Sequence, residues 1–205
     1  MLGENKLTDF LDELHSNSPA PGGGSVAALN GAIAAALVGM VANLTIGKKN
    51  YGEVEAEMTA LAAKMKQIKD DFVALIDKDA NSFNGVIAAF KLPKDSDEQK
   101  AARTAAIQAG YKEAIAVPLD VARRAAELFD DIESALQKGN KNAESDALVA
   151  ALSVRTAIYS ALLNVEINLA AVKDSAYVDA LRKEVADLRA QADAGEARVL
   201  KQKSF

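Results

Sequence analysis

From Ser16 to Gly47 the chain carries no Asp, Glu, Lys or Arg. Ser18-Pro19-Ala20-Pro21-Gly22-Gly23-Gly24-Ser25 opens this stretch and leads directly into small and aliphatic residues from Val26 to Ile46. Three consecutive glycines lose much backbone entropy on ordering, and an alanine-rich helix has little side-chain area to bury. Such a segment is useful where backbones must come close, either to a ligand at the helix start or to another helix along its length. Ala27, Gly31, Ala35 and Gly39 recur every four residues, the small-residue stripe that lets two helices touch. The stretch is also about long enough to cross a membrane. However, Asn30, Asn43 and Thr45 interrupt it and no Trp or Tyr marks its edges. The expectation is a buried helix or a subunit interface, with no membrane partner.

Elsewhere the helical period recurs and the strand period does not. The spacing predicts helices over Lys6–His15, Ser25–Gly47 (stopped by its glycine), Glu53–Phe90 (closed by Pro93), Ser96–Lys138, Ala143–Val172 and Ser175–Lys201. Ser96 and Gln99 form a capping-box pattern, Pro118 is expected to kink or split the fourth helix, and Gly139-Asn140-Lys141-Asn142 is a turn. With neither repeats nor a linker, residues 1–205 are expected to form one all-α, single-domain bundle of about six helices.

Composition narrows the chemistry. A net charge of −5 argues against a nucleic-acid partner. The absence of cysteine excludes disulfides and thiolate chemistry, and with His15 the single histidine no metal site is expected. His15 falls at a helix end, where it meets the macrodipole. Acidic residues from Glu4 to Glu13 do not resemble a secretory signal, so a cytoplasmic protein is expected. Any catalysis must rest on carboxylates, lysines, tyrosines or backbone amides.

Two interruptions of pattern supply candidates. Met65, Ile68, Phe72, Ile76, Phe83, Val86 and Phe90 form one apolar stripe, and the position between Ile76 and Phe83 is Asp79. A carboxyl there faces the core or a groove, where burial raises its pKa, and is an acid/base candidate. The alternative is a structural carboxylate paired with an arginine or capping a neighbouring helix. Asp77 looks more exposed. In the fifth predicted helix Asp146, Ser153, Ser160, Asn164 and Asn168 form a polar stripe, suited to gripping a polar ligand or to sealing a helix pair. Gly22, Gly23, Gly24 and Ser25 present free amides at a helix start, an anion site. Lys48 and Lys49 could hold carboxylates.

These residues carry a resemblance. Pro21-Gly22-Gly23-Gly24-Ser25-Val26, Met40-Val41, Leu44-Thr45, Gly47-Lys48-Lys49, Asp77-Lys78-Asp79-Ala80 with Phe83, Leu92-Pro93-Lys94, Arg103-Thr104-Ala105-Ala106 and Val117-Pro118-Leu119 are blocks similar to the formimidoyltetrahydrofolate cyclodeaminase family. So are Gly139-Asn140, Ser145-Asp146, Val149-Ala150-Ala151, Asn164-Val165 and Ile167-Asn168-Leu169. In order, they cover nearly the whole chain. The family includes cyclodeaminase domains fused behind a formimidoyltransferase domain and stand-alone methenyltetrahydrofolate cyclohydrolases.

The resemblance implies an all-α fold, homodimers, and a catalytic aspartate at the second acidic position of the Asp-x-Asp block, Asp79. It implies a stand-alone enzyme with no prosthetic group that closes 5-formimidoyltetrahydrofolate to 5,10-methenyltetrahydrofolate with release of ammonia. The alternative is cyclohydrolase action on the methenyl compound to give 10-formyltetrahydrofolate. A separate formimidoyltransferase is a candidate partner. By chemical type alone, Asp146 and Asn164 are the candidates for gripping the pterin, and Lys48, Lys49 and the Gly22–Gly24 amides those for holding the glutamate tail. A non-catalytic helical scaffold is the remaining reading, and it expects Asp79 to be locked to an arginine.

Overall fold

The computed structural model describes residues 1–205, and no strand occurs in it. Seven α-helices follow in order: α1 (Leu7–His15), α2 (Gly23–Thr45), α3 (Glu55–Phe90), α4 (Asp97–Ala126), α5 (Leu128–Lys138), α6 (Glu144–Leu169) and α7 (Ser175–Leu200). They form one bundle, as the period of the sequence predicts.

Local signals explain most of the boundaries. Ser96 Oγ accepts from the Gln99 amide and Gln99 Oε1 accepts from the Ser96 amide, each at 3.2 Å, a reciprocal cap that starts α4. Asp174 caps α7 by accepting from the Tyr177 amide at 3.1 Å. Gly47, beyond the end of α2, has φ +71°, a left-handed conformation that favours glycine. Pro118 does not split α4: it lies buried inside the helix, where packing against α3 and α6 outweighs one lost backbone hydrogen bond. The break comes at Glu127.

At the centre lies α2, packed against α3 on one side and α6 on the other. The small-residue stripe serves close contact within the chain. A Cβ added at Gly31 would come within 2.6 Å of the fully buried Phe72 ring of α3, so a side chain here would displace the largest group in the core. Helices α2 and α6 run antiparallel. Gly23 at the start of α2 meets Asn164 near the end of α6, and Thr45 at the end of α2 accepts from the Asn140 amide, just before α6, at 2.8 Å.

These two helices are long and apolar enough to cross a membrane by length and composition, yet only about half of each is buried in the bundle, 56% and 50% of their most apolar windows. The remainder leaves Ile33, Met40 and Leu44 of α2 and Val149, Leu152, Leu163 and Ile167 of α6 exposed.

Asp77 is not a free surface group. It is half-buried and holds the 3-10 turn at Leu2–Glu4 against α3, accepting from the Leu2 amide at 2.6 Å and the Gly3 amide at 3.4 Å.

Candidate active site

Asp79 lies midway along α3 where that helix passes the first turn of α2. Its Oδ2 accepts from Ser25 Oγ at 3.0 Å, and Ser25 is fully buried and also reaches the Ile76 carbonyl at 3.2 Å. The Ser25 amide hydrogen-bonds the carboxyl as well. The aspartate therefore faces the positive end of a helix dipole and does cap a neighbouring helix, one of the two structural roles weighed above. The other, an arginine partner, is absent.

Burial pushes the Asp79 carboxyl above its usual range, and the two Ser25 hydrogen bonds only partly oppose this. The glycine run has a steric purpose here. A Cβ on Gly24 would lie within 2.5 Å of Asp79 Cγ and 2.7 Å of its Oδ2, so only glycine lets α2 come this close to the carboxylate.

Asp79 also lines a cavity of about 250 Å³ at this end of the bundle. The start of α2 (Gly22, Gly23, Gly24) forms one wall and Asp79, Ser82 and Phe83 of α3 another, with Asn164 and Asn168 of α6 opposite. The α2 helix begins at Gly23, two residues before the predicted Ser25, which brings Gly23 and Gly24 into its first turn. Phe83, part of the apolar stripe of α3, is 39% exposed and lines the cavity. Phe90 of the same stripe is likewise exposed.

The polar stripe of α6 is part lining and part self-satisfied helix. Asn164 donates to the Ser160 carbonyl at 2.8 Å and Asn168 to the Asn164 carbonyl at 3.0 Å, and both residues line the cavity. Ser153 Oγ donates to the Val149 carbonyl at 3.0 Å. Pro19, Ala20, Ser82 and Ile167 also line the cavity; of these Ser82 carries no sequence signal, since a lone serine on a helix is unremarked until its neighbour is known. No Lys or Arg lines the cavity.

Thus the structure brings Gly22, Gly23, Gly24, Ser25, Asp79 and Asn164 together, and within one chain it does not bring Lys48, Lys49 or Asp146 to them. The lysines follow α2, whose 23 residues span about 34 Å. They line a separate hollow of about 360 Å³ with Tyr51, Asn140 and Asn142. Asp146 sits in the first turn of α6, at the same far end. Placing all nine residues around one ligand within a single chain is corrected by the length of these two helices.

Residues 6–187 match the family described as Formiminotransferase-cyclodeaminase. The chain is 44% identical over 199 residues to a methenyltetrahydrofolate cyclohydrolase of Methylorubrum extorquens, covering 97% of this chain and 96% of that protein. It is 38% identical to the formimidoyltransferase-cyclodeaminase of Sus scrofa, of which it spans 36%. In three dimensions it is similar to a crystal structure of formiminotetrahydrofolate cyclodeaminase from Thermotoga maritima, with a TM-score of 0.87 at 33% identity, covering 98% of this chain and 97% of that one.

Proposed function

The chain belongs to the formiminotransferase-cyclodeaminase family, and we propose that it is a 5,10-methenyltetrahydrofolate cyclohydrolase whose acid/base group is Asp79. The observation that carries this reading is the Asp79 carboxyl, desolvated yet open to a cavity and hydrogen-bonded only through Ser25. The likeness to a cyclohydrolase over nearly the full length of both chains favours this reaction over the cyclodeaminase one.

In the reaction, water adds to the carbon of the delocalised N5–CH–N10 cation. The carboxylate of Asp79 takes a proton from that water. The C–N5 bond then breaks as N5 takes the proton held by Asp79, the added hydroxyl releases its remaining proton to solvent to become the carbonyl, and the formyl group stays on N10. A carboxylate in a site poor in water faces the substrate cation with a stronger field than it would in bulk solvent. The exposed ring of Phe83 is placed to stack on a flat heterocycle, and the Asn164 and Asn168 side-chain oxygens can accept from its N–H groups. No prosthetic group is needed for any of these steps.

Cyclodeaminase action is the second reading, favoured by the structural likeness to the Thermotoga maritima protein. There N10 attacks a formimidoyl carbon and Asp79 passes the N10 proton to departing ammonia. A separate formimidoyltransferase would then supply the substrate, a role its fused relatives carry in one chain.

Side-by-side turnover tests the choice. With the purified chain, 5,10-methenyltetrahydrofolate should lose its absorbance faster than in buffer, and 5-formimidoyltetrahydrofolate should be converted more slowly or not at all. Rapid appearance of the methenyl absorbance from the formimidoyl compound, with no acceleration of its loss, would reverse the assignment.

A further inference from the structure

We infer that Ser25 is a positioning residue of the reaction: it touches no substrate, and its hydroxyl anchors one oxygen of Asp79 while the other is left for proton transfer. The folate reading above supplies the reaction that this pair serves; the coupling of the two side chains stands on the geometry.

Three observations lead here. First, Ser25 is fully buried and, unlike Gly22, Gly23 and Gly24 before it, is not part of the cavity wall. It sits in the first turn of α2 and turns inward onto α3, so a ligand in the cavity meets the glycines instead. The serine of the predicted anion site therefore acts on the aspartate.

Second, its hydroxyl lies between two acceptors of α3, Asp79 Oδ2 at 3.0 Å and the Ile76 carbonyl at 3.2 Å. A hydroxyl has one proton to give. While Asp79 is ionised, the carboxylate takes it as the charged acceptor. Once Asp79 holds a proton, the hydroxyl turns to the Ile76 carbonyl, so this buried group is satisfied in both states. Oδ1, the oxygen that the hydroxyl does not hold, lies against Gly24, which walls the cavity.

Third, no charged group competes with the serine. Asp79 is the only charged residue that lines the cavity, so α4 and α6 bring none to it, and α2 carries none at all. On α3 itself, Lys78 is exposed and Asp77 is committed to the Leu2 and Gly3 amides. An arginine in place of the serine would pin the aspartate in its charged form. A neutral hydroxyl fixes the carboxyl and still lets its charge change. A base that takes a proton from water and returns it to N5 needs both.

A cycle of Ser25→Ala, Asp79→Asn and the double variant tests the assignment. The assays are turnover of 5,10-methenyltetrahydrofolate across pH, the Kd of tetrahydrofolate, and the titration of 13C-labelled aspartate carboxyls. In the last, the resonance missing from Asp79→Asn is that of Asp79. Ser25→Ala should lower kcat by about tenfold and leave Kd within about twofold. The rising limb of kcat/KM and the Asp79 titration should both move to higher pH, because a donor to the ionised form is lost. On the Asp79→Asn background, Ser25→Ala should change kcat by less than about twofold, since nothing remains for it to act through.

Wild-type kcat in Ser25→Ala with the limb in place would overturn the assignment. A Kd weakened about tenfold, or losses that multiply in the double variant, would overturn it too, by putting Ser25 on the substrate. Absence of wild-type turnover would instead remove the folate reading, and the carboxyl titration would still decide the coupling: an unmoved Asp79 resonance in Ser25→Ala refutes it. Ser25→Cys fills the same space with a weaker donor and should shift that titration in the same direction. A folded Ser25→Cys chain with no shift refutes the coupling independently.

Discussion

Replacing Gly24 by alanine perturbs the catalytic geometry without touching a functional group. The new Cβ would fall closest to Asp79 Oδ1 and 2.5 Å from its Cγ, where ordinary contact begins at 3.4 Å, so the carboxylate must withdraw by about 1 Å or more. That retreat takes it out of the 3.0 Å bond to Ser25 Oγ and away from the position the reacting atoms require. A misplacement of about 1 Å costs on the order of a hundredfold in rate. Stability should change far less. The helix gains about 0.5–1 kcal/mol from losing a glycine, against about 1–3 kcal/mol for crowding. The assay is the loss of methenyl absorbance, with circular dichroism and thermal melting to confirm the fold. Gly85→Ala is the control, because its Cβ enters open space on the same α3 helix. It should leave kcat unchanged and raise stability by about 0.5–1 kcal/mol, a few degrees in Tm for a chain of this size. Wild-type kcat in Gly24→Ala would refute the claim that the close approach of α2 positions Asp79.

Three further outcomes follow from the same structure. The Asp79 carboxyl is raised, so as pH rises through its pKa the group loses its proton and becomes the base. kcat/KM should climb along a limb above the ordinary aspartate value of 3.8, and the pH–rate profile of Asp79→Asn should lack that limb. The same shift means the folded chain retains a proton that the unfolded chain releases. Stability should therefore fall as pH rises across that window, and chemical denaturation of Asp79→Asn should show this dependence removed. Gly31→Ala drives a methyl group to 2.6 Å from the Phe72 ring and should cost about 1–3 kcal/mol in a denaturant titration, with KM little changed.

Much of this protein is legible before any coordinates. A reciprocal cap at Ser96 and Gln99 and the glycine stop at Gly47 are local, so sequence alone locates them. Asp79 is legible because a carboxylate that interrupts an apolar stripe must face something other than bulk water. Phe83 and Phe90 mark the limit of that logic: periodicity says which face of a helix is apolar, but not whether protein covers it along the whole length. Ser82 has the opposite problem, since a serine acquires meaning only from the group it meets, here the Asp79 backbone carbonyl. The grouping of Lys48, Lys49 and Asp146 with Asp79 fails inside one chain because chemical type carries no distance, and two long helices set them apart.

The central claim, that Asp79 performs proton transfer in a folate cavity, is tested most directly by kcat and ligand affinity measured together on Asp79→Asn. The account predicts that the variant binds the folate within a few-fold of the wild-type Kd while kcat falls by about a hundredfold or more. A variant that turns over 5,10-methenyltetrahydrofolate at the wild-type rate would contradict it.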